Sequence, residues 1–580
     1  MKKQWHLLKP DAPSVESLCA ALKCHPVTAS ILVNRNICTP EEAIGFRDAS
    51  LAHLRPPFDI KDMDVAVDRI VRAITDQEEI LIFGDYDADG ITGTAILLDF
   101  FNAADTEVTT YIPHRTKEGY SLQTHHIGEV ASPNNIKLII TVDCGSASHD
   151  AIGLAQQEGI DVIVTDHHTV DQNLPPALAV VNPKRLDCAA GFETLSGVGV
   201  AFFLIIALRK QLRDGGFWKL RSEPNLARFC DLVALGTVAD RVPLLGDNRI
   251  LSKAGLDKIN TTHRPGIRAL VDACRIGDHP VNAEDIAFRL APRINAAGRM
   301  AHAGMAVTLL TTKNPSEATE TARELNRLNT QRKEIESGML ADALADIETD
   351  PGLLRKHSLV LHHDHWHGGV LGIVAARLCR RFHRPVILIS TKDGRGRGSA
   401  RSIPGVDLYE GLSACKEQLE QFGGHSMAAG LSIQPAQIDG FKERFEHVME
   451  TMTVPDDFLP KISIDYHLAL EDITDELIDE LESLNPFGEG NPEPVFITGP
   501  VDMVSAKIVG KHHRRMSVKA TSAGESKPFN AIQFNIDPAE TFKTHYDHVL
   551  FRLNWNYWKG KKTAQMIIEA LSLPGDWGPN

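Results

Sequence analysis

Apolar residues in this chain come in short runs, each closed by polar or glycine-rich positions. The first clear run, "EILIFG" (79–84), has strand length, and the apolar stretch over 91–102 after Gly90 predicts a helix. The pattern recurs in "VTTYIP" (108–113), "KLIITVDCG" (137–145), "DVIVTDHH" (161–168) and "ALAVVNP" (177–183), with helical stretches between several of them. Alternation of this kind predicts an α/β fold with a largely parallel sheet covered on both faces. The longest apolar run, "GVGVAFFLIIAL" (197–208), is too short to span a bilayer and predicts a buried helix.

Residues 311–350 differ in character. Asn314 offers a cap, Pro315 a first helical position, and only Gly338 interrupts the run before Pro351-Gly352. A long helix with a polar middle predicts a bridge between domains. A second α/β block follows, with strands in "SLVLHH" and "RPVILIS", and "TVPDDFLP" (453–460) reads as a linker. Beyond it, "KISIDYHLAL", "PVFITGPV", "AIQFNI" and "HVLFRLNW" predict a small antiparallel barrel. The expected divisions are 1–310 (with an N-terminal helical segment), 311–350, 351–455 and 456–580.

Length agrees with several domains, since 580 residues and 63.7 kDa exceed one core. Nine cysteines without CxxC pairs suggest neither a disulfide framework nor a zinc-thiolate site. The opening "MKKQWHLLKPDAPSVES" has no apolar core of a signal peptide, so a reducing, cytoplasmic setting is expected. Net charge is −15, which argues against broad nucleic-acid binding. Basic residues nevertheless cluster at Arg395, Arg397 and Arg401, at Lys511, Arg514 and Arg515, and at Lys559, Lys561 and Lys562. These clusters permit an anionic ligand without requiring one.

The acidic residues carry the chemistry. Asp85, Asp87 and Asp89 follow the first strand, Asp143 the "KLIITV" strand, and Asp166, His167 and His168 the "DVIVT" strand. Asp240 ends the apolar stretch in "DLVALGTVADRVPL". Carboxyl ends of parallel strands converge on one sheet edge, where ligands bind. Carboxylates so gathered cannot all ionise in an empty site, so some protonate or a divalent cation sits among them. Oxygen and imidazole donors without thiolate favour Mn²⁺ or Mg²⁺. The number of donors suits two divalent cations about 3.5–4 Å apart. "GDYDADGITGTA" is no P-loop, because GxxxxGK[ST] is absent.

The segments "GDYDADGITGTA", "VDCGS", "TDHH" and "GTVADRVPL" resemble, in order, the motifs of the DHH phosphoesterase family. "RLAPRINAAGRM", "WHGGVLGIVAARL", "GRGSARS", "FGGHSMAAGLSI" and "NPFGEGNPEPVF" resemble its bacterial RecJ branch, single-strand-specific DNA exonucleases working 5′ to 3′ in recombination and repair. "EGYSL" (118–122) departs slightly from the expected "EGYGL". The resemblance implies a DHH domain joined by the long helix to a smaller DHHA1 domain, with an OB-like barrel at the C-terminus. It implies that Asp87 and Asp89 ligate different ions, that Asp143 bridges them, and that His167 and Asp240 complete the second. Asp85 and His168 would ligate or orient, and Asp166 would hold a histidine from behind. Hydrolysis by two-metal activation of water is implied, releasing 5′-mononucleotides.

By the same resemblance Ser399 and Arg401 would hold a 5′-terminal phosphate, while Arg115, Arg299 and His425 would grip the neighbouring backbone or the scissile group. His425 has a helix cap as its alternative role. His363, His365 and His367 alternate like metal ligands but have packing roles as the alternative, and Cys144 reads as a buried filler. Trp555, Tyr557 and Trp558 suit either a stacking platform for bases or a barrel core. Single-stranded DNA is the implied partner, with a single-strand-binding protein and a recombination helicase as protein partners, no membrane, and a monomer expected. Two rivals stand beside this: a phosphatase for oligoribonucleotides or nucleotides, and a non-catalytic single-strand-binding scaffold.

Overall fold

The computed structural model describes residues 3–170, 172–261, 263–277, 279–510, 512–521, 528–537, 542–558 and 561–573. A short strand, β1 (Gln4–Leu7), precedes helices at Ala12–Leu22, Pro26–Asn34 and Pro40–Arg47. The first sheet follows, from β2 (Ile80–Gly84), β3 (Thr109–Tyr111), β4 (Leu138–Val142), β5 (Asp161–Thr165) and β6 (Ala179–Val181). Its order is β3-β2-β4-β5-β6 and every pairing is parallel.

Strand alternation feeds two cores. Ile80, Ile82, Leu138, Ile140 and Ile163 face one, while Leu81, Phe83, Ile139, Val162 and Val164 face the other. Helices cover both faces, including the buried Gly197–Asp214 helix. The chain steps outward from β2 to β3, then returns to place β4 on the other side of β2. The carboxyl ends of β2 and β4 therefore flank a switch point, where the loops diverge and leave a crevice.

The bridging helix runs Pro315–Thr349, with the Asn314 side chain accepting from the Ser316 amide. Thirty-five residues make it about 52 Å long. Ala318, Ala322, Leu325 and Leu328 join the core of the first block, whereas Met339, Ala343 and Ile347 join that of the second. Between them Glu336, almost fully buried, pairs with Arg332 and with Arg377 of the second block (2.6 Å). The second block holds β7 (Leu359–His363), β8 (Val386–Ser390), β9 (Gly396–Arg401), β10 (Gln421–His425) and β11 (Ala428–Ile433). Its order is β10-β11-β9-β8-β7, with only β7 and β8 parallel.

The chain's two ends form one body. β1 pairs in parallel with β12 (Lys461–Ile464). Leu18, Val27 and Leu32 share a core with Leu477, Phe496 and Phe551. The N-terminal helices, expected within the 1–310 block, thus bury their apolar faces against the C-terminal unit. Arg249 links that body to the first block, donating to the carbonyls of Phe46 (2.7 Å) and Asn485 (2.9 Å). The C-terminal sheet of eight strands is a curled half-barrel. Two of its pairings are parallel, Tyr466–His467 with Phe496–Thr498 and Phe529–Gln533 with Lys561–Ser572, where an all-antiparallel barrel was expected. Among the described residues no helix is long and apolar enough to cross a membrane.

Candidate metal centre and substrate cleft

Three strand ends and one helix end build the acidic cluster. After β2, the Asp85 amide donates to the Val142 carbonyl (3.1 Å), which fastens the turn to β4. Asp87 then caps the next helix, accepting from the amides of Asp89 (2.9 Å) and Gly90 (3.3 Å). The helix accordingly starts at Ala88, not after Gly90 as the sequence suggested, because the aspartate side chain takes over its first free donors. Asp89 lies in its first turn. Both its oxygens face the start of the Gly197–Asp214 helix, accepting from the amides of Gly197 (2.7 Å) and Val198 (2.8 Å). A helix N-terminus favours such a charge.

After β4, Asp143 has φ of 61° and its amide donates to the Thr165 carbonyl (2.9 Å). Aspartate and asparagine tolerate this left-handed backbone better than most side chains. After β5, Asp166 Oδ1 accepts from the amides of His167 (2.7 Å) and His168 (3.1 Å) and lies 2.8 Å from His168 Nδ1. Its Oδ2 accepts from the Ser146 amide (3.0 Å). Asp240 is the last residue of the Cys230–Asp240 helix, where the helix's own partial charge is negative and gives a carboxylate no support.

Donor atoms from these residues fall into overlapping sets, each within 4.8 Å: Asp85, Asp87 and Asp143; Asp89, His167 and Asp240; and Asp143, His167 and His168. Asp143 sits between, with Oδ1 3.1 Å from His167 Nε2. Burial first, then the neighbouring carboxylates, pushes the Asp85, Asp143 and Asp240 carboxyls well above the ordinary range. The same causes raise Asp89 to about 7. Burial and the charge of His168 lower His167 to about 3. Burial opposes charge on His168, but the hydrogen bond to Asp166 and the charges of Asp166, Asp240 and Asp85 together outweigh it and raise this imidazole to about 9.

The orphaned atoms point the same way. Among the described residues, Asp85 Oδ1, Asp143 Oδ1 and both ring nitrogens of His167 are buried and form no hydrogen bond of good geometry, although Asp143 Oδ1 and His167 Nε2 approach to 3.1 Å. Buried polar atoms are rarely left so. A neutral imidazole and several carboxylates, aimed at one another, fit divalent cations.

The second block faces this cluster. His425 lies in β10 rather than capping a helix, and its ring stacks 6.4 Å from that of His168 at 13°. On β9, Arg401 donates to Ser399 Oγ (3.3 Å) and to the Ala400 carbonyl (2.8 Å). A Cβ on Gly372, the second residue of the Leu371–Phe382 helix, would meet Arg401 Nη2 and Ser399 Oγ at 2.8 Å. The glycine thus keeps a small cradle open at a helix N-terminus, a setting suited to an anion. Arg115 lies 4.7 Å above the Tyr86 ring, and Arg299 donates to the Gly369 carbonyl (3.0 Å). Burial, then the charges of Arg115 and Arg401, lowers Arg299 to about 9. The cations crowd one another, and an anion between them relieves that repulsion.

Other candidates have ordinary partners. His363 pairs with Asp346 (2.9 Å), while His365 (2.9 Å) and the Trp366 indole (3.1 Å) share Asp342, so they dock the long helix. Cys144 is buried and its thiol is raised by that burial, which suits a filler. Arg397 donates to the Thr116 carbonyl (2.9 Å), tying the two blocks. In the C-terminal unit Trp555 and Lys562 both engage Asp479 at 2.8 Å, and Tyr557 is exposed. Arg514 is buried over Phe542 and Arg515 is exposed, so the "KHHRR" cluster is not one continuous basic face. Lys511, Lys559 and the Trp558 side chain lie outside the described residues.

Residues 79–237 match the DHH family N-terminal domain, 356–451 the DHHA1 domain, and 464–570 the RecJ OB domain. The chain is 36% identical to "Single-stranded-DNA-specific exonuclease RecJ" of Salmonella typhimurium, over 98% of this chain and 100% of that protein. It belongs to the RecJ family. The RecJ of Bacillus subtilis is also 36% identical, over 99% of this chain and 71% of the relative. The crystal structure of Thermus thermophilus RecJ in complex with Mn²⁺ superposes with a TM-score of 0.83 at 31% identity, covering 98% of this chain and 80% of that one. Its complex with Mg²⁺ gives 0.77 at 30% identity, covering 98% and 78%. The RecJ motifs do not include everything that shapes the site. Sequence reasoning missed the Gly197 and Val198 amides, Gly372, and Asn182, whose side chain donates to the His168 carbonyl and to Ser146 Oγ, both at 2.9 Å. "SGVGV" carried a signal, a serine before glycines that marks a helix start, and Gly372 lies within "WHGGVLGIVAARL", a match that did not single it out.

Proposed function

We propose that this protein is a metal-dependent single-stranded-DNA exonuclease that starts at a 5′ end and releases 5′-mononucleotides. The observation that carries the reading is the buried cluster with orphaned donor atoms, faced across a cleft by an arginine-lined cradle. Asp85, Asp87 and Asp143 would hold one divalent cation, and Asp89, His167 and Asp240 a second, with Asp143 shared. Bound there, the cations supply an acidified water and positive charge for the phosphoryl oxygens. The Gly197 and Val198 amides fix the Asp89 carboxylate, and Asp166 fixes His168 through its Nδ1. Ser399, Arg401 and the open face of Gly372 receive the terminal phosphate, which arginine grips in a fork. Arg115, Arg299 and His425 hold the adjoining backbone.

Digestion of a single strand labelled at either end tests the reading. With Mn²⁺ the 5′ label leaves first as a mononucleotide, and chelation stops the reaction. Release of the 3′ label first, or full activity in excess chelator, would overturn it. Arg401→Ala is expected to lower the preference for a 5′-phosphorylated over a 5′-hydroxyl end by about tenfold, the value of one charge-assisted contact. Equal losses on both ends would remove Arg401 from the phosphate site.

A further inference from the structure

Lys184 lies outside every motif segment and outside the donor sets of the acidic cluster. It follows β6, the neighbour of β5, by three residues, so it leaves the same sheet edge as the acidic cluster. Its backbone is fixed on both sides. The Lys184 amide donates to Asn182 Oδ1 (2.9 Å), and Asn182, fully buried, is tied to the His168 carbonyl. Arg185 is clamped to Asp187 (2.8 Å) and to Asp62. The side chain between these anchors is half-buried, and among the described residues its ammonium makes no hydrogen bond or ion pair.

Its charge acts on groups from both walls of the cleft. The Lys184 field bears on His167 and Asp240 of the first block and on His425 of the second. The arginines act elsewhere: Arg115 bears on Asp85, and Arg299 is influenced by Asp87. The cluster therefore has cations at two ends. Arg115, packed over the Tyr86 ring between Asp85 and Asp87, marks one end, with Arg299 and Arg401 in its field, and Lys184, anchored through Asn182 to the His168 carbonyl, marks the other. A strand whose terminal phosphate lies among the arginines runs past the cluster toward the lysine.

On the reading of this site as a 5′-end exonuclease, we infer that Lys184 binds the backbone phosphate on the 3′ side of the scissile bond. It grips the strand that remains after each nucleotide leaves. A lysine suits this role, because a flexible point charge can follow a phosphate that advances by one step per cycle.

The test compares wild type, Lys184→Met and Lys184→Arg on a 5′-phosphorylated 20-nucleotide single strand in saturating Mn²⁺ and graded KCl. In Lys184→Met, KM is expected to rise about tenfold with kcat little changed, as for loss of one charge-assisted contact. The plot of log(1/KM) against log[KCl] should become shallower by about 0.7, the value for one phosphate contact on a single strand. Lys184→Arg should restore both, and the preference for a 5′-phosphorylated end should stay at its wild-type value. An unchanged KM and salt slope in Lys184→Met, or a loss of end preference, would overturn the assignment. So would a defect that excess Mn²⁺ cures, since that places the lysine's effect on the cations. Wild-type protein that fails to digest the strand removes the exonuclease reading and this inference together, whereas normal wild-type digestion with an unaltered variant removes only the inference.

Discussion

Asp143→Asn is expected to lower single-strand hydrolysis at least about a thousandfold while the fold and single-strand binding persist. Asparagine is the right substitution, because φ of 61° at this position would strain alanine and confuse lost chemistry with lost structure. Asp143 contributes to two of the donor sets, and its Oδ1 lies 3.1 Å from His167 Nε2 and 3.8 Å from His168 Nδ1. No neighbour can replace it. The metal-free variant should also melt no lower than metal-free wild type, since one buried carboxylate fewer means less mutual repulsion. Wild type should gain melting temperature with Mn²⁺ as any protein gains from a ligand of its native state, and the variant should gain less. Turnover within tenfold of wild type, measured beside the melting curves, would sink the shared-ligand assignment.

The second large effect is expected from a methyl group. Gly197→Ala should lower kcat about a hundredfold or more with little change in single-strand binding, because misplacement by an ångström is enough for such a loss. A Cβ at residue 197 would lie 2.5 Å from Asp143 Oδ1, 2.6 Å from its Cβ and 2.7 Å from its Cγ. The Gly197 amide also holds Asp89 at 2.7 Å, so any retreat of the helix loosens both aspartates at once. Alanine is otherwise the better helix former, which limits the loss of stability. Gly153→Ala is the matched control: it too lies in a helix, but the nearest atom to its Cβ is 4.0 Å away. Wild-type kcat in Gly197→Ala, at a normal melting temperature, would show that the site tolerates the displacement.

The candidate ligands were legible in the sequence because carboxylates directly after apolar runs have few structural uses. A parallel sheet gathers such positions on one edge, so Asp85, Asp143 and Asp166 could be grouped before any coordinates were known. The support of Asp89 was not legible, because its amide donors lie 108 and 109 residues away and a helix start does not name the anion it will receive. The joining of the chain's ends was hidden for the same reason. The amide of His25 donates to Glu480 (2.9 Å) across 455 residues, and an apolar helix face shows that it needs a partner without showing which. Arg514 is a different case. Its strand alternates buried and exposed positions, so period-two reading would have turned Arg514 inward and Arg515 outward, where counting basic residues treated them alike.

The pairing of β1 with β12, and the core that the N-terminal helices share with the C-terminal unit, also set an order of events during synthesis. The first block's parallel sheet closes from residues 80 to 181 and can form while the ribosome is still translating the rest. Residues 4–47 are made well before residues 461–572, against which they pack, so their apolar surface stays open in the interval. That interval is when a nascent chain of this protein most needs a chaperone, and a message truncated near its 3′ end would yield a polypeptide exposed at its start as well as its finish.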